Sequence, residues 1–272
     1  MRTDLHTHSN ISLDSSTSME DMALAAIKKG IDILCFTDHC DPMCGAEPGV
    51  KRESGFEQWA VGYDEIAAVR EKYGDQIELL HGMELGEIPQ DLVRARQWAK
   101  APGLDFVLGS IHAVPQMQDF YYLQFGDEAA CRELTGIYLD ENIRLARENV
   151  ADAIGHIGYT NRYMVRQGKY IDLMDFRDRL EILFKLLAEN GRGIEINCSG
   201  LRQKGLDETF PNLSLLQFYK QCGGEIITIG SDAHNAHHLG TGFDQAKQLA
   251  IEAGFRYITV FRQRKAEFIA IQ

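Results

Sequence analysis

Five short groups of histidine and acidic residues recur along the chain, and each lies where a predicted strand gives way to a loop. In chain order they are His6-Thr7-His8, Asp38-His39, Glu84, His112 and Asp232-Ala233-His234. Imidazoles and carboxylates are common protein ligands for divalent metals. Because the carboxyl ends of parallel strands open onto one face of a β/α barrel, these side chains can converge there. The spacing therefore predicts a multinuclear metal site.

The distribution of the histidines strengthens this prediction. His6 and His8 are two residues apart at the end of a strand, so both imidazoles point to the same side. A lone His-x-His pair would fit surface or core histidines equally well. Here six of the nine histidines lie at predicted strand ends, namely His6, His8, His39, His112, His156 and His234. With oxygen ligands from Asp14, Glu84 and Asp232, this thiolate-free set favours zinc, manganese or iron.

The other histidines have simpler interpretations. His81 lies inside a predicted strand, which favours packing in the core over metal binding. His237 and His238 follow the last motif in a loop, where solvent exposure is the simplest expectation and lining of a pocket is the alternative.

The elements that must position these groups follow from the hydrophobic pattern. Short apolar runs alternate with amphipathic stretches, which predicts repeated β/α units around a mostly parallel sheet. The runs are Arg2–Leu5, Ile31–Phe36, Ile77–Met83, Asp105–Ser110, Ala151–Ile154, Gly193–Asn197 and Glu225–Ile229, with Tyr257–Phe261 as a candidate eighth. Helices are predicted over Met174–Asn190, with Gly191 as the stop, and from near Thr17, with Glu20 completing a capping box. No linker interrupts the series, so we expect one domain spanning residues 1–272.

The composition narrows the classes of partner. A net charge of −12 argues against nucleic acid and anionic membranes, which are bound chiefly through clustered Lys and Arg. No apolar window approaches the roughly 18 residues of a spanning helix, and the first residues lack a basic-then-apolar leader, so we expect a cytoplasmic protein. The six cysteines form no Cys-x-x-Cys pair and are expected to be reduced thiols, with a Cys40–Cys44 zinc half-site as the minor alternative.

The motifs together resemble a known family. His6-Thr7-His8, Thr37-Asp38-His39, Gly82-Met83-Glu84, Gly109-Ser110-Ile111-His112, Gly155-His156 and Gly230-Ser231-Asp232-Ala233-His234 are similar, in that order, to the motifs of the polymerase-and-histidinol-phosphatase (PHP) family. The resemblance covers nearly the whole chain. It implies a distorted (β/α)7 TIM-like barrel with three metals at the C-terminal mouth of the strands.

The resemblance also implies a division of the ligands. One metal would take His6, His8, Glu84 and Asp232. A second would share Glu84 and add His112 and His156, and the third would take Asp14, His39 and His234. At the Asp14 position some members of the family have histidine instead.

Charge counting then suggests the chemistry. Three divalent ions with the carboxylates of Asp14, Glu84 and Asp232 sum to about +3, and a bridging hydroxide lowers this to about +2, which complements a phosphate monoester dianion. Metal coordination lowers the pKa of water from about 15.7 to roughly 7. We therefore expect a metal-bridging hydroxide as the in-line nucleophile, with Glu84, Asp232 and His234 as catalytic residues around it. A metal-bound water or a nearby histidine could act as the general acid.

Two arginines are candidates for binding the phosphate. Arg162 follows His156 by six residues, and Arg202 follows the sixth predicted strand. A guanidinium can hold two phosphate oxygens at once, although a surface salt bridge is the alternative for each. The segment Asn197–Arg202 resembles the Asn-x-Ser-Gly-x-Arg segment of the stand-alone histidinol-phosphatases of the family. The resemblance thus implies a metal-dependent hydrolase acting on histidinol phosphate.

Other interpretations remain open at this point. Asp41, Glu47 and Glu195 could meet a cationic substrate group, and the irregular stretch Cys40–Phe56 could shape the pocket. A nucleotide or phosphotyrosine substrate would need an aromatic clamp or an open groove, and the aromatic cluster Phe120-Tyr121-Tyr122 could supply the clamp or simply pack in the core. A non-catalytic, metal-stabilised module is a third interpretation, against which the complete ligand set argues. The sequence leaves the oligomeric state open.

Overall fold

The computed structural model of the protein describes residues 1–42 and 55–271, and its centre is a parallel β-sheet that curls into a barrel. The strands are β1 Thr3–Thr7, β2 Ile33–Phe36, β3 His39–Cys40, β4 Glu78–Gly86, β5 Phe106–Ser110, β6 Ala153–Ile154, β7 Gly193–Asn197 and β8 Ile227–Gly230. They neighbour one another in the order β1-β2-β4-β5-β6-β7-β8, and β3 extends the line of β2 along β4.

Backbone hydrogen bonds close the barrel between its first and last strands. The Asp232 N–H donates to the His6 carbonyl at 2.8 Å, and the His8 N–H donates to the Ala233 carbonyl at 2.9 Å. β2 and β3 occupy one position in the sheet, so the eight strands of the described residues fill seven positions around the barrel. This confirms the predicted distorted (β/α)7 barrel.

Helices cover the outside of the barrel, so the strands are buried on both faces. They are α1 Met19–Lys28, α2 Phe56–Ala60, α3 Gly62–Tyr73, α4 Leu92–Trp98, α5 Glu128–Glu148, α6 Tyr159–Met164, α7 Arg177–Glu189, α8 Leu213–Gln221 and α9 Phe243–Glu252. The helix predicted over Met174–Asn190 begins as a 3-10 turn, Leu173–Phe176, and continues as α7, whose Leu180, Leu183, Phe184 and Leu187 are all buried.

The start of α1 differs from the prediction. Ser18, not Thr17, is the N-cap, and its hydroxyl accepts the Asp21 N–H at 3.1 Å. Glu20 does not fold back onto the cap, because its carboxylate instead binds Lys72 and Tyr73 on α3. The tertiary contact with α3 therefore replaces the predicted capping box.

The candidate eighth run forms a strand that does not belong to the barrel. β9, Tyr257–Arg262, pairs antiparallel with β10, Lys265–Ala270, through a two-residue turn at Gln263 and Arg264. Both turn residues have positive φ, 50° and 64°, which is the conformation of a type I′ hairpin turn. The strand predicted as a candidate eighth run is therefore confirmed, and it lies outside the parallel sheet.

This hairpin covers the amino-terminal end of the barrel. Phe261 stacks on Phe106 with ring centroids 5.1 Å apart. The Arg264 guanidinium forms an ion pair with the fully buried Asp152 and donates to the Ala99 and Val150 carbonyls, both at 2.7 Å. The barrel is thus filled and covered at this end, which leaves the carboxyl ends of the strands for chemistry.

Some predictions fall outside the described residues. Cys44, Glu47 and most of the stretch Cys40–Phe56 lie there, so the Cys40–Cys44 half-site and the role of Glu47 remain predictions. The five cysteines within residues 1–42 and 55–271 are free thiols. Within the same residues, no helix combines the length and the apolar character needed to cross a membrane.

Candidate metal centre

The structure brings all nine predicted ligands together at the carboxyl end of the barrel. Each lies in or just after a strand, except Asp14, which lies in the loop between β1 and α1. Asp14 and His234 are the most accessible, with side chains 43% and 22% exposed, and the other seven are buried. Backbone geometry marks the same place, because His156 and Asp232 have φ of 26° and 54°, a left-handed conformation that is costly for residues other than glycine.

The first ligand group has four atoms around one point. His6 Nε2 is 3.1 Å from His8 Nε2, and these nitrogens are 3.3 and 3.4 Å from Glu84 Oε2. The same nitrogens are 3.8 and 3.6 Å from Asp232 Oδ1. Ligands about 2.0–2.1 Å from a tetrahedral ion are separated by roughly 3.3 Å. The four atoms therefore have spacings close to those of a four-coordinate site.

Glu84 joins this group to a second one. Its other oxygen, Oε1, is 3.1 Å from His112 Nε2 and 2.8 Å from His156 Nε2, and it accepts the Ser110 hydroxyl at 2.7 Å. The two carboxylate oxygens thus face two different groups of imidazoles. This is the geometry expected of a bridging carboxylate.

The third group lies nearest to solvent. Asp14 Oδ2 is 2.9 Å from His234 Nε2 and 3.8 Å from His39 Nε2. The other ring nitrogen of His39, Nδ1, is 3.0 Å from Glu84 Oε2. The His39 ring therefore stands between the first and third groups.

Two buried atoms show that the set suits a cation. Glu84 Oε2 and His39 Nδ1 are buried 3.0 Å from each other, but within the described residues neither forms a hydrogen bond of acceptable geometry, and the His6 and His8 nitrogens also surround the carboxylate oxygen. Buried polar atoms without partners are rare because each costs about 1–3 kcal/mol. Divalent ions would give these atoms ligand bonds, so the residues present fit a multinuclear site of nitrogen and oxygen ligands.

The ligands strongly shift one another's pKa values. Burial would raise the pKa of Glu84, but the His6, His112 and His39 imidazoles hold that pKa well below its usual range. Burial would lower the pKa of His112, but the Glu84 carboxylate raises it to about 10. Burial itself lowers the pKa of His8, and its histidine neighbours lower it further. This mutual dependence is typical of groups gathered for a functional site.

A second layer of polar groups holds the ligands, and sequence reasoning did not assign it. Glu195 Oε1 is 2.8 Å from His6 Nδ1, while Oε2 accepts the His156 N–H at 2.9 Å and the Asn197 amide at 3.1 Å. On the other side, the Ser12 hydroxyl is 3.1 Å from His8 Nδ1. Such contacts fix the tautomer and orientation of metal-binding imidazoles.

The sequence hypothesis for Glu195 and Asp41 therefore changes. Both are buried, and neither lines the cleft above the ligands. Glu195 is directed at His6, whereas Asp41 forms a buried cluster with Glu87 and His112. Neither carboxylate is placed to meet a substrate cation. A signal was present for Glu195, since an acidic residue within an apolar strand needs a buried partner.

Both predicted arginines border the metal ligands. Arg162, on α6, pairs with Asp232, with 2.8 Å between Nη1 and Oδ2. Arg202 ends a short turn after β7 and donates to the Ser231 and Asp232 carbonyls at 2.6 and 3.0 Å. Within the described residues, neither arginine forms the surface salt bridge that was the alternative interpretation. Both side chains line the open cleft over Asp232.

A cleft opens directly over the ligands. Its deeper part, a cavity of about 270 Å³, is lined by seven of the ligands and by Asp119, Tyr121, Tyr122, Tyr159, Arg162 and Tyr163. A shallower continuation is lined by Arg166, Ser199, Arg202, Gln203, Asn235 and His238, among others. Phe120 is buried in the core, whereas Tyr121 and Tyr122 are 58% and 47% exposed on the cleft wall.

The remaining histidines divide as follows. His81 stacks on Trp59 at 4.6 Å, away from the ligands, which confirms the core interpretation. His238 lines the shallow part of the cleft, which was the alternative expectation for this pair. His237 is exposed to solvent, which was the simpler expectation.

Comparison with known proteins agrees with this geometry. The sequence profile of the PHP domain matches residues 4–199. The histidinol-phosphatase of Lactococcus lactis is 28% identical over 272 residues, covering 97% of this chain and 96% of the relative. A protein of Thermotoga maritima named probable histidinol-phosphatase is 26% identical and covers 94% of each chain.

A solved structure resembles the whole chain. It is the crystal structure of histidinol phosphate phosphatase from Lactococcus lactis complexed with Zn, L-histidinol and phosphate. The likeness has a TM-score of 0.80 at 27% sequence identity and covers 98% of both chains.

Proposed function

The chain belongs to the PHP domain family, and from that premise we propose that it is a metal-dependent phosphate monoester hydrolase acting on histidinol phosphate. The observation that carries the proposal is the convergence of three ligand groups and two arginines on one cleft. We further propose that residues 1–272 act as one catalytic domain and that the enzyme works in the cytoplasm on a small substrate.

The nine ligands would hold three divalent ions, zinc, manganese or iron, with Glu84 shared between two of them. Such ions lower the pKa of coordinated water and offset the negative charge of a phosphate ester. We place Glu84, Asp232 and His234 next to the reacting phosphoryl group. All three line the deeper part of the cleft, as four of the other ligands also do.

Arg162 and Arg202 would complete the binding of the phosphate. Both line the shallower part of the cleft together with Asp232, and each has guanidinium N–H groups beyond those in its hydrogen bonds to the protein. An arginine can present two parallel donors to phosphate oxygens. Because the structure holds Arg202 against the Ser231 and Asp232 carbonyls, its position also depends on the loop that carries the ligands.

Two observations favour histidinol phosphate among small esters. The relatives named as histidinol-phosphatases align along nearly all of this chain and of their own. In addition, Ser199 and Arg202 of the segment Asn197–Arg202 line the cleft beside the metal ligands.

A different small phosphate ester is the second candidate. The exposed rings of Tyr121 and Tyr122 form part of the cleft wall and suit a flat group attached to the phosphate. A nucleotide base or a phosphotyrosine ring would meet this requirement, as would the imidazole of histidinol phosphate. A non-catalytic module would have no need for a cleft open to the full ligand set.

A phosphate-release assay tests the proposal. Protein loaded with zinc or manganese would be given histidinol phosphate, p-nitrophenyl phosphate and nucleotide monophosphates at matched concentrations. We expect the largest kcat/KM for histidinol phosphate. A larger value for a nucleotide or for p-nitrophenyl phosphate would favour the second candidate, and no release from any ester would remove the assignment as a phosphatase.

A further inference from the structure

Asp38 belongs to one of the histidine and acidic motifs of the sequence, but the metal centre uses only its neighbour His39. The Asp38 side chain is 2% exposed and does not line the cleft over the ligands. Within the described residues it also belongs to none of the ligand groups. A carboxylate buried in this way needs hydrogen-bond partners. Asp38 finds them in the loop between β1 and α1.

Four hydrogen bonds from Ser9 and Ser12 surround the Asp38 carboxylate. Oδ2 accepts the Ser9 hydroxyl at 2.8 Å. Oδ1 accepts the backbone N–H groups of Ser9 and Ser12, at 2.7 and 3.2 Å, and lies 2.7 Å from Ser12 Oγ. Because Oδ1 already accepts two N–H groups, it carries no proton, and the hydrogen between it and Ser12 Oγ belongs to Ser12. Asp38 therefore fixes the direction of the Ser12 O–H bond.

The lone pairs of the Ser12 hydroxyl must then receive its two other contacts. A hydroxyl has one donor hydrogen and two acceptor lone pairs. One lone pair accepts the His39 backbone N–H at 3.1 Å, and the other faces His8 Nδ1, also at 3.1 Å. His8 Nδ1 thus has to be the donor, so a neutral His8 keeps its free lone pair on Nε2. That nitrogen is the atom directed at Glu84 Oε2 and Asp232 Oδ1.

The serine contact alone would leave this choice open, because a hydroxyl can donate to an imidazole nitrogen as well as accept from it. We propose that Asp38 is a positioning residue for the metal centre. By directing the Ser12 hydroxyl, it holds His8 with its proton on Nδ1 and with Nε2 free to bind a metal. The inference rests on the proposed metal-dependent function and adds a residue that acts through another side chain.

Two serine variants isolate the contact. Ser12→Ala removes the acceptor of the His8 Nδ1–H, and such a loss typically lowers metal affinity roughly 10- to 100-fold. Ser9→Ala is the matched control, because Ser9 is equally buried and its hydroxyl bonds Asp38 and the Ile11 N–H instead of a histidine. In a zinc titration against a chelator, we expect Ser12→Ala to lose that factor for one bound equivalent. Ser9→Ala should keep the wild-type affinity for every equivalent.

Three Asp38 variants test the residue itself. Asparagine keeps an oxygen for the two backbone N–H groups and the Ser12 hydroxyl, and its NH2 group can donate to Ser9 Oγ. Asp38→Asn should therefore bind zinc as the wild type does. Asp38→Ala frees the Ser12 hydrogen to turn towards His8, so the same zinc equivalent should weaken roughly 10- to 100-fold. Adding Ser12→Ala to Asp38→Ala should cause little further loss, because both changes act through one contact.

The position of the His8 proton is a second readout. Spectra of zinc-loaded protein labelled with ¹⁵N-histidine distinguish a ring nitrogen that carries a proton from one that binds metal. We expect the proton on Nδ1 in the wild type and in Asp38→Asn, and a population with the proton on Nε2 in Asp38→Ala. A role of Asp38 in stability alone would not move this proton.

These measurements need no substrate, so their outcome is independent of the proposed reaction. Wild-type zinc affinity in Ser12→Ala or Asp38→Ala, or a wild-type His8 with its proton on Nε2, would overturn the inference even if histidinol phosphate is hydrolysed well. A loss in Ser9→Ala or Asp38→Asn equal to that in Ser12→Ala would also overturn it, and this comparison holds even if Asp38→Ala does not fold. The expected pattern without phosphate release from any ester would sustain the role of Asp38 and refute the proposed reaction.

Discussion

Replacing Glu195 by glutamine should weaken one metal site without touching a ligand. One carboxylate oxygen, Oε2, accepts hydrogen bonds from the His156 N–H and the Asn197 amide. The other oxygen, Oε1, lies 2.8 Å from His6 Nδ1. Glutamine keeps one acceptor oxygen and replaces the other with an NH2 donor. Because His156 and Asn197 both present donors, the NH2 group must face His6.

The His6 ring must then respond. Its Nδ1 has to accept a hydrogen bond, so the imidazole proton moves to Nε2, the atom that is directed at His8, Glu84 and Asp232. A protonated Nε2 cannot bind a metal. Removing an outer carboxylate of this kind typically lowers metal affinity 10- to 100-fold, which corresponds to about 1.4–2.8 kcal/mol.

The assay is a zinc titration in competition with a chromophoric chelator. In Glu195→Gln we expect the affinity for one of three bound zinc equivalents to fall by that factor, and we expect kcat to fall with it. Asp152→Asn serves as a control, because Asp152 is an equally buried carboxylate at the opposite end of the barrel. Wild-type affinity for every equivalent in Glu195→Gln would refute the orienting role. An equal loss of zinc affinity in Asp152→Asn would show that the effect comes from a general destabilisation of the barrel.

Three further changes test other parts of the argument. Glu84→Ala should remove more than one metal equivalent, because this carboxylate faces two ligand groups, and elemental analysis that found full metal content would refute the bridge. Arg202→Ala should keep its metals but lose on the order of 10²–10³ in kcat on histidinol phosphate, roughly 3–4 kcal/mol, with only partial recovery in Arg202→Lys. Steady-state kinetics at the wild-type rate would take Arg202 out of the phosphate site. Arg264→Ala should destabilise the fold by about 3 kcal/mol, because Asp152 loses a partner in a fully buried position, while metal content stays constant. A wild-type melting temperature would contradict that expectation.

The ligands could be predicted because their geometry is local. His6 and His8 are two residues apart on an extended chain, so both imidazoles point to the same side, where their Nε2 atoms lie 3.1 Å apart. The barrel was also predictable, since each strand and helix has its own hydrophobic period. The sharing of Glu84 between two ligand groups could not be predicted from spacing, because it depends on contacts between different strands. That assignment came from the family resemblance.

The features that escaped prediction depend on distant partners. Glu195 lies in an apolar strand, and its role is set by His6, which is 189 residues away in the sequence. Likewise, Tyr257–Phe261 has the composition of a strand, but its partner is decided by a turn at Gln263 and Arg264. That turn adopts positive φ without the Asn-Gly or Asp-Gly signal that usually marks it.

The two ends of the barrel use charged groups in opposite ways. At the amino-terminal end, Asp152 is held by Arg264 and Arg192, so each charge has a partner and the arrangement stabilises the fold. At the carboxyl end, Glu84 faces imidazoles whose donors do not satisfy Oε2, and Asp232 adopts a left-handed conformation. Strain and unsatisfied buried groups of this kind persist only where the surrounding structure enforces them. At the carboxyl end, the free energy of bound ions would offset part of that cost.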